Sequence, residues 1–444
     1  MSSYKYIVKD YHAVKEAEII LDGITVLSGI NGCGKSTLSR WLYYIISGSA
    51  NYDKNLFKEY ADNLSRYLLK IYIGLRDTGR INLFDAHHIS PKDKIFAIEQ
   101  RLSEINYNSE KDIEKATVIF TNAIEYIGLH LNRLMSLLSI AERERILTYL
   151  DIDCTGHTED YSELFLEKYK GISERLHKDL IEKIIKRPAD SFFKYIHQTF
   201  RFENDEPKTI RFEEDDVDII DDRQILNILN LNDVIYIDTP ISVTAGDSKN
   251  PFWSRLHEMM LDDKKEMSVE EKKILLRIKS LLGGETILQE DDVLGDKTLR
   301  FISSDKTINI ELNNAATGYK TLAYLQRLIE NGYINENTLL MIDEPEAHLH
   351  PQWIVEFARL LVLLNKKLGL KIMLASHNPD MVAAIQAISA REGISEHTNF
   401  YVAKQDIETP HQYVYKHLGN DISEIFESFN IAINRIRCYG DVCD

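Results

Sequence analysis

Cysteine and proline are scarce in this chain of 444 residues, which contains four cysteines and nine prolines. Cys33, Cys154, Cys438 and Cys443 are too few and too widely separated for a disulfide framework, so we expect a reducing compartment. Hydrophobic residues make up 44% of the chain and charged residues 28%, a composition that excludes extensive disorder. The chain is long enough for about two or three domains of ordinary size.

Long apolar runs and an excess of positive charge are also absent. No stretch approaches the roughly 20 apolar residues of a membrane span, and the N-terminal sequence MSSYKYIVKDYH has no apolar signal-peptide core, so we expect a cytoplasmic protein without a membrane partner. The net charge of −17 argues against a broadly basic surface for nucleic acid. Two basic stretches, residues 178–187 and 264–279, also contain acidic residues and indicate solvated helix faces. DNA binding stays open but has no support from the net charge.

The predicted fold class is α/β, because strand and helix patterns alternate at both ends of the chain. Residues 1–50 and 230–405 are expected to form one head with a mainly parallel sheet. A mainly helical insertion is expected at 51–229, returning to β structure near 192–202. Residues 406–444 are expected to form a C-terminal tail.

The stretch GINGCGKST, Gly29–Thr37, follows the apolar run Ile24–Leu27 and precedes an apolar helix. Its GxxxxGKS spacing matches a P-loop, in which backbone N–H groups surround phosphate oxygens at a helix N-terminus. Lys35 would reach the β- and γ-phosphates, and the Ser36 hydroxyl would bind Mg²⁺. Cys33 is interpreted as a tolerated residue instead of a reactive thiol. The predicted nucleotide-binding residues are Asn31, Gly32, Cys33, Gly34, Lys35, Ser36 and Thr37.

Two adjacent acidic residues follow a second apolar run, Leu339–Ile342. Asp343 is expected to hold Mg²⁺ together with Ser36, and Glu344 to orient or polarise the attacking water. Two neighbouring acids alone usually mark a loop, but here they follow a buried-type strand in a chain that has a P-loop. The sequence therefore predicts a nucleotide-hydrolysing enzyme.

Three stretches together resemble a known family: IDEPEAHLHP at residues 342–351, NNAATGYKTL before it and LASHNPDMV after it. They are similar to the ABC-type ATPases of the SMC, RecF and OLD kind. The resemblance is closest to ATPase subunits of bacterial anti-phage systems such as Septu and retron-associated systems. It covers residues 1–50 and 230–405, leaves the insertion unexplained, and implies an ABC-type P-loop NTPase head with ATP and Mg²⁺ as cofactors.

The resemblance also implies roles for individual residues. Thr317 and Gly318 occupy the ABC signature, which contacts the γ-phosphate held by the other head of a dimer. Glu344 becomes the catalytic carboxylate, Ala347–His350 takes the D-loop place, and His377 looks like the switch histidine that senses the γ-phosphate. The signature reads Ala-Thr-Gly-Tyr where Ser-Gly-Gly-Gln is commoner, which puts the strength of the contact across the dimer in question.

Other family features are not found in the sequence. The Q-loop glutamine is unassigned, because Gln100 lies in a charged helical stretch and Gln224 follows no convincing strand. Related OLD proteins carry a Toprim nuclease after the ATPase, but only 67 residues follow His377, and they contain no Asp-x-Asp pair. Three pairs with metal-like residue types are interpreted as loop or terminal residues: Cys154 with His157, Cys438 with Cys443, and His87 with His88.

The expected function is that of an ATPase whose two heads enclose two ATP–Mg²⁺ complexes. Hydrolysis would reset a conformational switch that a separate effector protein, a nuclease or a toxin, reads in anti-phage defence. The alternative is a RecF/SMC-like DNA-repair ATPase that acts on DNA directly. A third hypothesis is a nuclease that uses residues of the insertion.

Overall fold

The computed structural model describes residues 2–76, 97–98, 100–102, 104–105, 109–152, 160–200, 206–221, 223–238, 251–290, 297–347 and 349–427. The backbone divides into two compact units. The first, which we call the sheet unit, comprises Met1–Ala50 and Phe192–Asp444, and the second, the helical unit, comprises Asn51–Ser191.

The secondary structure follows the chain in this order. The described strands are β1 (Tyr4–Tyr11), β2 (Val14–Ile20), β3 (Ile24–Ser28), β4 (Thr209–Glu214), β5 (Val217–Ile220), β6 (Asp233–Ile237), β7 (Gly284–Glu290), β8 (Lys297–Ser303), β9 (Asn309–Glu311), β10 (Thr338–Asp343), β11 (Lys371–Ser376), β12 (Thr398–Gln405) and β13 (Tyr413–Gly419). The described helices are α1 (Lys35–Ala50), α2 (Tyr52–Arg76), α3 (Glu110–Ser136), α4 (Ile140–Tyr149), α5 (Tyr161–Lys186), α6 (Ala189–Phe200), α7 (Pro251–Leu261), α8 (Val269–Leu282), α9 (Thr317–Glu330), α10 (Pro351–Leu368) and α11 (Pro379–Glu392).

A ten-stranded sheet organises the sheet unit, in the order β5-β4-β1-β2-β13-β12-β3-β11-β10-β6. The strands from β12 to β6 are parallel, and every residue of β3, β10 and β11 is buried, as apolar strands covered on both faces require. The register pairs Ala375 with both Leu27 and Asp343. The carboxyl ends of β3, β11 and β10 are therefore level, and this row of residues places the functional site.

Helices cover this sheet according to their apolar faces. The first helix, α1, packs against β6, β10 and β11, and its buried residues include Leu38, Leu42 and Ile45. The α9 helix packs against α8 and against β7 of a separate three-stranded sheet, β7-β8-β9. The C-terminal half of α9 is fixed by the buried Arg327, whose guanidinium donates to the Met260 carbonyl at 2.9 and 3.1 Å.

The helical unit is held together by α2, α3 and α5, which contact one another. Each helix contributes a buried apolar stripe at helical spacing, including Leu64 and Leu68 of α2, Phe120 of α3, and Phe165 and Tyr169 of α5. Among the residues that the structure describes, no helix is both long enough and apolar enough to cross a membrane.

The α/β class and the helical insertion are confirmed, and the sheet is parallel from β12 to β6. Its remaining pairings are antiparallel except that of β13 with β2. Three predictions about the insertion and the limits of the head are wrong. Residues 192–202 were expected to return to β structure, but Ala189–Phe200 is the helix α6. Its aromatic residues favour strands in isolation, yet Phe192 and Ile196 lie four residues apart and are both fully buried, as on one face of a helix.

The other two corrections concern the limits of the head. The insertion ends at Ser191, not at 229, because β4 pairs with β1 and β5 pairs with β4 in the large sheet. The expected tail, 406–444, contains β13, which lies between β12 and β2. Both errors have one cause, since β4 and β13 contain several polar residues and pair with strands near the N-terminus, β1 and β2.

Candidate nucleotide-binding site

The loop between β3 and α1 borders a pocket of about 390 Å³ at the carboxyl ends of the parallel strands. Its lining residues are His12, Ala13, Asn31, Gly32, Gly34, Lys35, Ser36, Thr37, Asp343, Glu344 and Ala375. Six of the seven residues predicted to bind nucleotide thus line one pocket, together with both predicted acidic residues. The level ends of β3 and β10 bring together parts of the chain that lie about 300 residues apart in sequence.

Glycine is required in this loop for two reasons. Gly32 and Gly34 have φ angles of 80° and 95°, in the region that side chains disfavour. A Cβ atom on Gly34 would also lie 2.6 Å from Cγ2 of Val14, whereas one on Gly32 would meet nothing within 4 Å. Val14 of β2, which lies outside the P-loop motif, therefore leaves no room for a side chain at residue 34.

The Lys35 side chain lies inside the loop and is only 8% exposed. Its Nζ donates to the carbonyl oxygens of Gly29 at 2.8 Å and Ile30 at 3.0 Å. These carbonyls hold the ammonium group at the loop's centre, and its charge favours binding of anionic oxygens there.

Cys33 is the one predicted nucleotide-binding residue that does not line the pocket. Its side chain is fully buried, with Sγ 3.7 Å from the Tyr415 hydroxyl. The same hydroxyl donates to the Cys33 carbonyl at 3.1 Å, and burial raises the Tyr415 pKa well above its ordinary value, so the hydroxyl keeps its proton. Any contact of Cys33 with a nucleotide is therefore limited to its backbone N–H. The buried side chain agrees with its interpretation as an unreactive thiol.

Asp343 ends β10 as a buried carboxylate with several hydrogen-bond donors. Its Oδ1 accepts from Ser39 Oγ at 2.8 Å, its Oδ2 accepts from the Tyr236 hydroxyl at 3.0 Å, and Ser36 also donates to it. Burial raises the pKa of Asp343, and the three hydrogen bonds act against this increase. Carboxylate and hydroxyl oxygens are ligands that Mg²⁺ prefers, so Ser36 and Asp343 fit the predicted metal site.

Glu344 follows Asp343 in a turn with φ of 48°, and its backbone N–H donates to the Ala375 carbonyl at 2.8 Å. This bond fixes the turn against β11 and lets the half-exposed Glu344 side chain line the pocket. His377 follows β11, and its Nδ1 lies 3.6 Å from Glu344 Oε1. The structure therefore brings the predicted switch histidine beside the predicted catalytic carboxylate.

The predicted signature residues lie elsewhere. Thr317 and Gly318 begin α9, and Gly318 does not line the pocket of its own chain. The predicted D-loop, Ala347–His350, follows the Glu344 turn, and the Ala347 N–H donates to the Glu344 carbonyl at 2.8 Å. Six residues considered for metal sites lie outside the described residues: His87, His88, Cys154, His157, Cys438 and Cys443.

Sequence reasoning missed several residues of the site, including His12, Tyr236 and Tyr415. Ser39 could have been found, because it lies three residues after Ser36 and therefore on the same side of α1. His12, Tyr236 and Tyr415 carry no local signal. They reach the site from the turn after β1, from β6 and from β13, respectively. Only the sheet topology brings these elements together.

The family comparison agrees with this geometry, since the AAA ATPase domain profile matches residues 4–382. Among curated proteins, the chain is 25% identical over 182 residues to Protein ea59 of Escherichia phage lambda, covering 39% of this chain and 32% of that protein. It is 26% identical over 150 residues to Old nuclease of Escherichia phage P2, covering 32% of this chain and 25% of that protein. The chain thus spans a third or less of each relative's length.

Solved structures with matching chains include heads of Smc proteins. The SMC head domain from Thermotoga maritima matches with a TM-score of 0.34 and 10% identity over 94% of this chain and 99% of that one. The Smc head domain of Pyrococcus furiosus, bound to the C-terminal domain of ScpA, matches with a TM-score of 0.32. The identity is 12%, and the match covers 98% of this chain and 100% of that one. Because the family profile spans most of the sequence, including the elements that build the pocket, the chain belongs to the AAA ATPase domain family and is an ATPase.

Proposed function

We propose that the chain is the ATP-hydrolysing switch of a larger assembly, with ATP bound at the pocket described above. The observation that carries this proposal is the hydrogen bond of 2.8 Å from Ser39, on the helix after the P-loop, to Asp343 at the end of β10. This arrangement joins the phosphate-binding loop to a buried carboxylate in the same pocket that Glu344 lines.

Each group has a distinct task in this proposal. Lys35 and the backbone N–H groups of the loop bind the phosphates. Ser36 and Asp343 would hold Mg²⁺, which would neutralise the charge on the phosphate oxygens. Glu344 orients the attacking water and accepts a proton from it, and His377 contacts the γ-phosphate.

A second copy would complete the site. Gly318 is buried at the start of α9 and does not line the pocket of its own chain. The resemblance to ABC-type ATPases implies that this signature acts on a nucleotide bound by another head. Closing two heads around two ATP molecules, and opening them after hydrolysis, would be the switching motion.

The biological setting that we propose is cytoplasmic anti-phage defence with a separate effector, a nuclease or a toxin. Support comes from the resemblance of the site motifs to such ATPases and from the similarity to two phage-encoded proteins, one of which is named a nuclease. Purifying the chain with the products of its neighbouring genes and identifying what co-elutes tests this setting. A partner with nuclease or toxin activity supports it, and ATPase activity that depends on DNA alone favours the repair alternative.

Two variants test the pocket itself. Lys35→Ala removes a charge-assisted contact that is typically worth about 1.5–3 kcal/mol, so ATP affinity should fall by about 10- to 100-fold, and turnover with it. Glu344→Gln should retain ATP binding and lower kcat by about 100-fold or more, because the general base is lost. Nucleotide binding and steady-state hydrolysis measure the two effects.

A matched control is available for the lysine. Lys371 is also buried, and its Nζ donates to the Glu336 carbonyl at 2.8 Å, but it begins β11, whereas the pocket lies at the end of that strand. Lys371→Ala should therefore lower stability while ATP affinity is unchanged. Wild-type turnover in Glu344→Gln, or equal affinity in the two lysine variants, would show that the assignment is wrong.

We also propose that this chain does not cut DNA by itself. Within the described part of the chain, no group of three or more His, Cys, Asp or Glu residues is arranged to hold a metal ion. Plasmid and linear DNA should stay intact with Mg²⁺ or Mn²⁺, with or without ATP. Cleavage that survives repurification and is lost on substitution of His87, His88 or His157 would instead support the nuclease hypothesis.

A further inference from the structure

Glu346 is a buried carboxylate for which the proposed mechanism has no task. It lies two residues after Glu344, and its side chain is 5% exposed. Its Oε1 accepts from Ser376 Oγ at 2.9 Å and from the His377 backbone N–H at 3.2 Å. Its Oε2 is buried and has no hydrogen-bond partner among the described residues. Because burial of a carboxylate costs free energy, its retention here needs an explanation.

The position of Glu346 relative to His377 supplies one. His377 Nδ1 lies 3.6 Å from Glu346 Oε1 and 3.6 Å from Glu344 Oε1, so one ring nitrogen faces two carboxylates. The two carboxylates differ in burial and in their hydrogen bonds. Glu346 is buried and anchored by two donors at the end of β11, whereas Glu344 is half-exposed on the pocket. Glu346 is therefore the fixed partner of the imidazole.

A fixed carboxylate beside one nitrogen of a histidine determines what the other nitrogen can do. The carboxylate accepts a hydrogen bond from Nδ1–H, which orients the ring and selects its tautomer, as in metal sites and catalytic triads. When both nitrogens carry protons, Nδ1 donates to the carboxylate and Nε2 donates to an anionic oxygen. A ring held in this way needs no reorientation when a phosphate arrives.

We propose that Glu346 is a positioning residue for ATP hydrolysis, which holds His377 through its side chain and through the backbone at the end of β11. This inference rests on the proposed role of His377. It also gives the turn after β10 a connection to the histidine, because the Leu349 N–H donates to the Glu346 carbonyl at 3.0 Å within the predicted D-loop. A shift of that loop on closure against another head would therefore move the carboxylate that holds the histidine.

A double-mutant comparison tests this inference. Glu346→Gln retains the shape and the acceptor oxygen but removes the charge, so kcat should fall by about 10- to 100-fold, the usual effect of losing such a supporting carboxylate. The KM for ATP should change little, because the phosphate-binding loop is intact. His377→Ala should lower kcat similarly, and the double variant should match His377→Ala, since Glu346 acts through the histidine.

Glu214→Gln is the matched control. Glu214 is another buried carboxylate of the sheet unit, and it accepts from the Leu229 and Asn230 N–H groups and from the Tyr4 hydroxyl. Its substitution should lower the melting temperature without a selective loss of kcat. If Glu346→Gln does not fold, Ser376→Ala removes one of the donors that anchor Glu346. That variant should lower kcat several-fold, and only when His377 is present.

The outcomes separate the two proposals. Wild-type turnover in His377→Ala would contradict the proposed role of the histidine, and the inference about Glu346 with it. If His377→Ala lowers kcat but Glu346→Gln does not, or if the two losses multiply in the double variant, the role of His377 stands and the inference about Glu346 is wrong.

Discussion

The contact between Tyr415 and the P-loop gives a prediction that no local motif suggests. Tyr415 lies on β13, and its hydroxyl donates to the buried Cys33 carbonyl at 3.1 Å. Tyr415→Phe removes the hydroxyl and leaves that carbonyl without this donor. An unsatisfied buried polar group costs about 1–3 kcal/mol, so the free energy of unfolding should fall by about this amount.

The same substitution should weaken ATP binding. The Cys33 carbonyl belongs to the loop whose N–H groups surround the phosphates, and a loop with one anchor fewer must be ordered by the ligand itself. If about 1 kcal/mol of the lost stabilisation is specific to the ordered loop, ATP affinity falls by about fivefold. Equilibrium binding of a fluorescent ATP analogue measures this change, and denaturant unfolding measures the loss of stability.

Tyr401→Phe distinguishes loop anchoring from general destabilisation. Tyr401 lies on the neighbouring strand β12, is 1% exposed, and its hydroxyl accepts from the N–H of Ile20, a residue of β2 and not of the P-loop, at 2.9 Å. Both substitutions should lower stability by similar amounts, but only Tyr415→Phe should lower ATP affinity. Equal ATP affinities in the two variants would refute the reasoning that β13 supports the nucleotide site.

Three further predictions concern the loop and the proposed dimer. Gly34→Ala should lower the free energy of unfolding by at least about 2 kcal/mol in a denaturant titration, because the new side chain combines a close contact with β2 and an unfavourable φ. Gly32→Ala should lower it by about 1–2 kcal/mol, because only its φ is unfavourable. Glu344→Gln with ATP and Mg²⁺ should shift the chain toward a dimer in light scattering; an unchanged mass would count against ATP-driven closure. Mixing Gly318→Glu with Lys35→Ala chains should partly restore ATPase activity, because one of the two seams in a mixed dimer carries neither substitution. Normal hydrolysis by Gly318→Glu alone would exclude a signature that acts across the dimer.

The parts of the site that could be predicted from sequence are those that local chemistry determines. A P-loop must be contiguous, because successive N–H groups of one turn surround the phosphates, and Gly29–Ser36 therefore shows its role in eight letters. The acidic pair Asp343 and Glu344 directly follows the strand that presents it. In both cases the residues that act and the element that places them are neighbours in the chain.

The parts that could not be predicted depend on pairing between distant segments. Tyr415 belongs to a strand whose partners are β12 and β2, and its seven residues have no strong apolar alternation. Glu346 lies two residues after the acidic pair, but nothing in the sequence shows that its side chain turns back to Ser376 on β11. The prediction of a strand at α6 is wrong because aromatic residues favour β structure on average, and burial against α1 overrides that preference.

The unassigned Q-loop illustrates the same limit. Gln100 lies in the helical unit, and Gln224 follows β5, at the opposite edge of the large sheet from β10. The neighbours of β10 are β11 and β6. The residue after β6 is Asp238, which is 8% exposed and accepts from the Arg40 guanidinium at 2.9 Å.

The position after β6, next to the predicted metal ligand Asp343, is therefore occupied by an acidic residue that pairs with Arg40 of α1, and not by a glutamine. Burial raises the pKa of Asp343, and the negative charge of Asp238 at the adjacent strand end adds to this increase. A search for a residue type could not find Asp238, because its relation to Asp343 is defined by the order of strands. Since β6 and β10 are about 100 residues apart in sequence, only the parallel pairing of Ile237 with Ile342 places the two side by side.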